Sequence, residues 1–120
     1  MAQTGDIDAL QQQIMDFVDE RNWRQFHNLK DCALSLSLEA AEVLEHFQWK
    51  NEAELKTYLK VHKSELGEEL CDVLYWVLLI AFYAKVDLKK QFQVKMNKNA
   101  QKYPKEKASG KANKYTDYQE

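Results

Sequence analysis

The sequence predicts an all-α, four-helix-bundle-like protein of about five helices, and three observations lead to this fold class. The chain has 120 residues, a length typical of a single domain. It contains only 3 glycines and 1 proline, too few for a turn-rich β protein. Apolar residues recur at helical spacing over long segments, each preceded by a residue that can cap a helix.

The first half of the chain predicts two long helices and the start of a third. Asp6 or Asp8 caps the first helix, whose apolar residues continue to about Arg21. Residues 22–28 alternate aromatic and polar side chains without a lasting period, which indicates a loop. The second helix runs over about 29–47. A third then begins at the sequence Asn-Glu-Ala-Glu (51–54), which has the capping-box pattern.

The second half predicts two further helices and a tail. A joint at 61–64 separates the third helix from a fourth, which Ser64 can start and which ends near Lys85. Asp87 caps the fifth helix, and Pro104 stops it. The following residues contain Gly, Ser and charges but no core positions. We therefore predict one domain over 1–104 and a flexible, Lys-rich tail over 105–120.

The cysteines and the absence of targeting segments predict a cytoplasmic protein. Cys32 and Cys71 lie in apolar helical contexts without a metal-type spacing, which predicts small buried residues in a reducing compartment. The N-terminus is polar and has no apolar region of a signal peptide. The uncharged stretch from Val73 to Ala84 covers 12 residues, too few to span a membrane.

Charge is divided unevenly along the chain. Residues 1–72 carry 7 basic and 15 acidic groups, whereas residues 73–120 carry 10 basic and 4 acidic groups. An acidic half followed by a Lys-rich half suits a metal-chelated polyanion such as a nucleoside triphosphate. The alternative interpretation of the basic half is a solvated tail, which we prefer for the last ten residues.

Two acidic pairs, Glu39 with Glu42 and Glu69 with Asp72, are the candidate catalytic and metal-ligating residues. Each pair has i,i+3 spacing and therefore shares one face of its helix. Both pairs lie in segments that are otherwise apolar, which indicates buried helices. Burial of four unpaired carboxylates is strongly unfavourable, and divalent cations would resolve this. The alternative is that the carboxylates reach solvent or pair with lysines.

The ligand set favours Mg²⁺, with Mn²⁺ as the other candidate ion. Four carboxylates without a cysteine ligand are typical of a hard cation coordinated by oxygen. A di-iron bundle needs Glu-x-x-His pairs, whereas His46 stands four residues after Glu42 and no His follows Glu69. Magnesium usually also binds substrate phosphates, so the pattern indicates phosphoryl chemistry by polarisation of a phosphoryl oxygen and activation of water. No glycine-rich phosphate loop is present.

The sequence resembles the MazG-like all-α nucleoside triphosphate pyrophosphohydrolases and dCTP pyrophosphatases. Their signature is Glu-x-x-Glu, an interval of about 12 to 28 residues, and Glu-x-x-Asp; here 26 residues separate the two pairs. The likeness extends from DERNWRQFH through EAAEVLEHFQWK and GEELCDVLYWVL to NKNAQKYP. It implies the MazG fold, Mg²⁺ held by the four carboxylates, and cleavage of a (d)NTP such as dCTP to (d)NMP and pyrophosphate.

The resemblance also implies substrate contacts outside the acidic pairs. Before the C-terminal segment these map onto His27, Lys30, Trp49 and Trp76, although the family's Pro-Lys-Asn is replaced by Leu-Lys-Asp at 29–31. The two tryptophans can instead be core residues, and His27 can be incidental. The C-terminal Asn-x-x-Lys-Tyr element and a neighbouring lysine imply contacts to phosphates and sugar, through Lys98, Asn99, Lys102 and Tyr103.

The same resemblance implies a homo-oligomer, with a tetramer favoured over a dimer, and no binding of nucleic-acid polymers or membranes. Helices that are apolar on all sides need more partners than one small chain offers. Two alternatives stay open from the sequence: a non-enzymatic helical oligomerisation module, and a hydrolase of the same fold that prefers another nucleotide such as dUTP. The preferred base, the number of metal ions and the general base are not fixed by the sequence.

Overall fold

The computed structural model describes residues 6–118, and within this range it contains helices and no strands, as predicted. Two short 3₁₀ helices, Arg24–Phe26 and Tyr115–Tyr118, accompany the α-helices. The α-helices are α1 (Ile7–Glu20), α2 (Leu29–Glu45), α3 (Glu52–Ala84), α4 (Leu88–Lys102) and α5 (Lys105–Ala108). The chain forms two compact units, one that ends at Lys85 and one that begins at Val86.

Side-chain caps define the starts of the helices in the first unit. Asp6 precedes α1 and accepts a hydrogen bond from the backbone N–H of Asp8 over 2.8 Å. Asn28 caps α2 in the same manner. The predicted capping box at α3 is confirmed by two hydrogen bonds. The Glu54 backbone N–H donates to Asn51 Oδ1 over 2.9 Å, and the Asn51 backbone N–H donates to the Glu54 carboxylate. These caps satisfy backbone donors that no helical carbonyl can reach.

The core of the first unit lies where α1 and α2 pack against the second half of α3. Contacts pair His46 with Tyr58 near one end of α2 and His27 with Tyr83 near the other, so α2 and α3 run antiparallel. Among the described residues, the buried hydrophobic side chains are Met15, Val18, Cys32, Leu78, Leu79 and Ala81. Across this core Gln11 Nε2 donates to the Leu78 carbonyl over 2.9 Å, which ties α1 to α3.

The joint predicted at 61–64 is confirmed as a kink at His62, across which two helical segments meet. Within residues 52–84, His62 alone has non-helical dihedrals, with φ −110° and ψ 18°. Helical dihedrals resume directly after His62, close to the predicted start at Ser64. Residues 61–64 contain neither Gly nor Pro, so the chain bends there without leaving the helix for a loop. The long α3 therefore carries both the capping box and the second acidic pair.

The apolar helices are only partly covered within one chain, which agrees with the expectation that they need more partners than one chain offers. Leu38 on α2 remains 67% exposed and Leu70 on α3 remains 50% exposed. Only one side of α3 faces the core, through Leu78, Leu79 and Ala81. Among the described helices, none has both the length and the apolar character needed to cross a membrane.

The second unit contains α4, α5 and the final 3₁₀ helix. Asp87 caps α4 as predicted and accepts a hydrogen bond from the Lys90 backbone N–H over 3.2 Å. Helix α4 ends at Lys102, just before Pro104. The sequence predicts no secondary structure after Pro104, but α5 and the 3₁₀ helix lie there, and α4 contacts the 3₁₀ helix. The division into a 1–104 domain and a flexible tail stays a prediction.

Candidate metal centre and adjoining aromatic cleft

Three of the four predicted carboxylates meet in the first unit. Glu39 comes from α2, whereas Glu69 and Asp72 lie almost one turn apart on α3. One carboxylate oxygen of each residue lies within 4.8 Å of the corresponding oxygens of the other two. The antiparallel packing of α2 and α3 thus brings the two acidic pairs together, as the sequence predicts. Their roles as ligands and catalytic groups are treated below as a proposal.

Glu42 lies at the edge of this cluster. It is exposed and does not belong to the set of oxygens within 4.8 Å. Its carboxyl group nevertheless interacts with both Glu39 and Glu69 and raises the pKa of each. The structure therefore places Glu42 beside the three-carboxylate cluster as a fourth acidic neighbour.

The crowding of negative charge changes the protonation of the cluster. A hydrogen bond with Glu42, burial, and the charges of Glu42, Glu39 and Asp72 raise the pKa of Glu69 to about 7. Two carboxyl groups can form such a hydrogen bond only when a proton lies between them. The pKa of Glu39 is also raised, first by burial and then by Glu42 and Asp72. Without a cation, the cluster is thus stabilised by retaining protons.

The cluster has the properties that a hard divalent cation requires. Its donors are all carboxylate oxygens. The Oε2 atoms of Glu39 and Glu69 are buried and have no hydrogen-bond partner in the described part of the chain. No lysine or arginine of residues 6–118 forms an ion pair with Glu39, Glu69 or Asp72. Buried oxygens without donors or cations around them are the positions that a divalent ion would satisfy.

An apolar cleft of about 650 Å³ adjoins the carboxylates. Helices α1 and α3 and the turn after α1 line it, with Glu39 and Asp72 as its acidic residues. The remaining lining residues are Leu10, Gln13, Ile14, Phe17, Trp23, Cys71, Leu74, Tyr75, Trp76 and Leu78. The volume and the aromatic lining suit a flat organic group whose charged end reaches the carboxylates.

Four aromatic rings shape this cleft, and three of them were missed as site residues by the sequence analysis. Phe17 packs edge-on against Trp23, with ring centroids 5.5 Å apart, and against Tyr75 at 6.5 Å. Tyr75 in turn packs edge-on against Trp76 at 5.1 Å. Trp76, the predicted contact, lines the cleft. The signal for Trp23 was present in the alternating aromatic residues of 22–28, which the sequence analysis read only as a loop.

The other predicted contacts of the first unit lie outside the cleft lining. His27 contacts Trp76 and Tyr83 from the connection before α2. Lys30 is exposed on the first turn of α2. Trp49 is 84% exposed, so the alternative that it is a core residue is wrong. The structure gives Trp49 and Lys30 no contact with the carboxylate cluster.

The predicted C-terminal contacts belong to the second unit. Lys98, Asn99 and Lys102 lie on α4, and Tyr103 directly follows its last residue. The Tyr103 backbone N–H donates to the Asn99 carbonyl over 2.9 Å. Their assignment to phosphate and sugar stays a prediction from the resemblance.

The two cysteines have different environments. Cys32 is buried in the core, as predicted. Cys71 is exposed and lines the cleft, so the prediction that both are buried is wrong for Cys71. Cys71 lies about two turns before the buried Leu78 on the same side of α3, next to Asp72, and both residues line the cleft.

Comparison with known proteins identifies the relatives of this arrangement. Residues 34–118 match the model of the MazG-like family, a range that contains both acidic pairs. The chain belongs to the MazG-like family. The matched range also contains α4 and the final 3₁₀ helix, whereas His27 and Lys30 lie before it.

Two relatives align with most of this chain. It is 39% identical to dCTP pyrophosphatase 1 of Rattus norvegicus over 104 residues, which are 85% of this chain and 61% of that protein. The identity to dCTP pyrophosphatase 1 of Homo sapiens is 36% over 104 residues, with the same coverage of 85% and 61%. The chain thus spans about three fifths of the length of these relatives.

A solved structure supports the same assignment of the fold. A pyrophosphatase from Archaeoglobus fulgidus superposes with a TM-score of 0.77 at 34% sequence identity. The superposition covers 87% of this chain and 97% of the archaeal one. The bundle described above is therefore the MazG fold.

Proposed function

We propose that this MazG-like chain is a Mg²⁺-dependent nucleoside triphosphate pyrophosphohydrolase that cleaves (d)NTP to (d)NMP and pyrophosphate, with dCTP among its substrates. The observation that carries the proposal is the cluster of Glu39, Glu69 and Asp72 beside an aromatic cleft. Relatives with 36–39% sequence identity to this chain are named dCTP pyrophosphatase 1, and a structural relative is named a pyrophosphatase. These names support the proposed activity and substrate.

Glu39, Glu69 and Asp72 would hold Mg²⁺, or Mn²⁺ in its place, with Glu42 as the fourth carboxylate beside them. When bound, the ion supplies Lewis-acid polarisation of a phosphoryl oxygen and lowers the pKa of water. On binding the ion the carboxylates would give up their retained proton. The buried Oε2 atoms of Glu39 and Glu69, which have no hydrogen-bond partner among the described residues, would then contact the ion.

The cleft supplies the binding of the nucleoside. Flat aromatic faces stack a base with little regard to its identity, and Trp23, Tyr75 and Trp76 provide such rings. Glu39 and Asp72, which line the same cleft, would hold the ion and with it the phosphates. The phosphate nearest the nucleoside would then lie closest to the carboxylates, so we expect water to attack the α phosphorus and pyrophosphate to leave.

A self-assembled form completes the proposal. Leu34, Leu38 and Leu44 on α2, together with Leu70 on α3, are each at least half exposed in the single chain. Large exposed apolar residues on adjacent helices are typical of surfaces that another copy covers. The resemblance favours a tetramer over a dimer. Light scattering of the wild-type protein and of Leu38→Glu tests this, and a monomeric wild type would contradict it.

A panel of nucleotides tests the activity. The wild-type protein is incubated with dCTP, dUTP, the other dNTPs and the NTPs in the presence of Mg²⁺, and monophosphate and pyrophosphate are measured. We expect both products in equal amounts, with dCTP among the better substrates. Orthophosphate and a diphosphate as first products would contradict the proposed bond cleavage. The absence of turnover for every nucleotide would instead favour the non-enzymatic oligomerisation module.

A further inference from the structure

A partly buried histidine and tyrosine form a hydrogen-bonded pair next to the aromatic cleft. His27 follows the first 3₁₀ helix, and its Nδ1 lies 2.7 Å from the Oη of Tyr83 on α3. Both side chains are partly buried, and 56 positions in the sequence separate them. The pair therefore joins the α1–α2 connection to the last two turns of α3.

The same histidine packs against a residue of the cleft lining. The rings of His27 and Trp76 meet edge to face, with centroids 6.3 Å apart and an interplanar angle of 79°. Trp76 and Tyr83 are seven residues apart, about two helical turns, and so share one side of α3. His27 contacts both, but neither His27 nor Tyr83 lines the cleft. The pair thus supports Trp76 from outside the cleft.

The neutral state of both side chains allows the Tyr83 hydroxyl to donate to His27. Burial lowers the pKa of His27 and raises the pKa of Tyr83, so both side chains are neutral near pH 7. Among the described residues, His27 Nδ1 is the hydrogen-bond partner of the Tyr83 hydroxyl. A hydroxyl that donates to Nδ1 satisfies both groups with one bond and leaves the ring proton on Nε2.

We infer that Tyr83 is a positioning residue: its hydroxyl holds His27 in the Nε2–H tautomer and in one ring orientation, and His27 thereby fixes Trp76 against the cleft. This inference rests on the proposed function, in which Trp76 is part of the surface that stacks the base. A ring already held in place loses less freedom when a ligand binds. The pair therefore acts on nucleotide binding and not on the chemical step.

A second pair in the same chain provides a matched control. His46 Nδ1 is hydrogen-bonded to the hydroxyl of Tyr58, and the two rings pack edge to face at 5.7 Å. This pair joins α2 to the first half of α3 and contributes no residue to the cleft. Tyr83→Phe and Tyr58→Phe each remove one hydroxyl bonded to a histidine, but only Tyr83→Phe affects the support of Trp76.

The kinetic test compares the two variants in the full chain with Mg²⁺ and dCTP. Loss of one neutral hydrogen bond predicts a rise in KM of about three- to tenfold for Tyr83→Phe, with kcat within about twofold of wild type. Tyr58→Phe should leave both constants unchanged, and the melting temperatures of the two variants should fall by similar amounts. Equal KM values for the two variants would overturn the inference.

A spectroscopic test does not depend on turnover. Imidazole ¹⁵N chemical shifts should report the Nε2–H tautomer for His27 in the wild type and a mixture of tautomers in Tyr83→Phe. An Nδ1–H tautomer in the wild type, or an unchanged tautomer in Tyr83→Phe, would overturn the inference. A wild type that hydrolyses no nucleotide contradicts the proposed function, whereas an active wild type with an unaffected Tyr83→Phe contradicts only this inference.

Discussion

The Glu69 carboxyl group has its pKa raised to about 7 because Glu42 shares a proton with it, burial disfavours its charge, and Glu39 and Asp72 lie close by. The sequence predicts which carboxylates meet, since i,i+3 spacing fixes the face of each helix. It does not predict their protonation, which depends on distances between two helices. The sequence also did not show that Phe17 lines the cleft. An apolar stripe on a helix looks the same in the sequence whether its residues fill the core or form the wall of a cleft.

The raised pKa of Glu69 predicts how stability depends on pH in the absence of divalent ions. Between its ordinary value of 4.5 and about 7, the folded protein holds a proton that the unfolded chain has released. The folded state then binds more protons, so stability is greatest below this window and declines as pH rises through it. Calorimetry with a chelator should show a melting temperature that falls between pH 4.5 and 7.

The variant Glu69→Gln and added Mg²⁺ provide the checks on this pH dependence. Glu69→Gln has no carboxyl group to titrate at this position, so its melting temperature should fall less steeply over the same window. At pH 7.5, millimolar Mg²⁺ should raise the melting temperature of the wild type by mass action. A wild type that responds to neither pH nor Mg²⁺ would mean that the carboxylates are solvated separately.

Substitution of the clustered carboxylates tests their role in turnover. Glu69→Gln and Asp72→Asn should each reduce kcat by about 100-fold or more, since each removes a ligand of the proposed ion. Glu68→Gln is the matched control, because Glu68 is exposed, adjacent in sequence and absent from the cluster. Helix content by circular dichroism should be unchanged in all three. Near-normal turnover in Asp72→Asn would show that Asp72 is not part of the catalytic site.

At the scale of elements, caps were predicted better than interruptions. Asp87 and the Asn51 capping box were found where the sequence placed them, because a cap is a local hydrogen bond between near neighbours. For the interruption, the sequence predicted a joint at 61–64 but not that the chain stays helical on both sides of a kink at His62. There the His62 ring stacks on Tyr58 at 4.4 Å and its Nδ1 bonds Glu65 at 2.7 Å, and the helix continues. Whether a helix bends or ends at such a point depends on packing that the sequence does not specify.

The capping box at α3 carries a measurable share of stability. Asn51→Ala removes the side-chain acceptor for the Glu54 backbone N–H, so the free energy of unfolding should fall by about 0.5–2 kcal/mol. Asn51→Asp keeps an acceptor at the same position and should lose much less. Urea denaturation measures both variants. Equal stability of Asn51→Ala and Asn51→Asp would show that the box does not support α3.

For the whole molecule, the sequence predicted the all-α class and the MazG fold, and both are confirmed. The apolar helices are only partly covered in the single chain, in line with the expectation that they need more partners than one chain offers. Leu38 and Leu70 show what the sequence leaves open: their apolar character indicates that they need to be covered, but not whether the same chain covers them.

Hydrolysis in ¹⁸O-labelled water tests the central proposal most directly, because it shows which phosphorus atom the water attacks. The wild-type protein is incubated with dCTP and Mg²⁺, and mass spectrometry locates the label in the products. Attack at the α phosphorus, expected from carboxylates that line the proposed base-binding cleft, places the label in dCMP and leaves pyrophosphate unlabelled. Label in pyrophosphate, or orthophosphate as the first product, would contradict the proposed reaction.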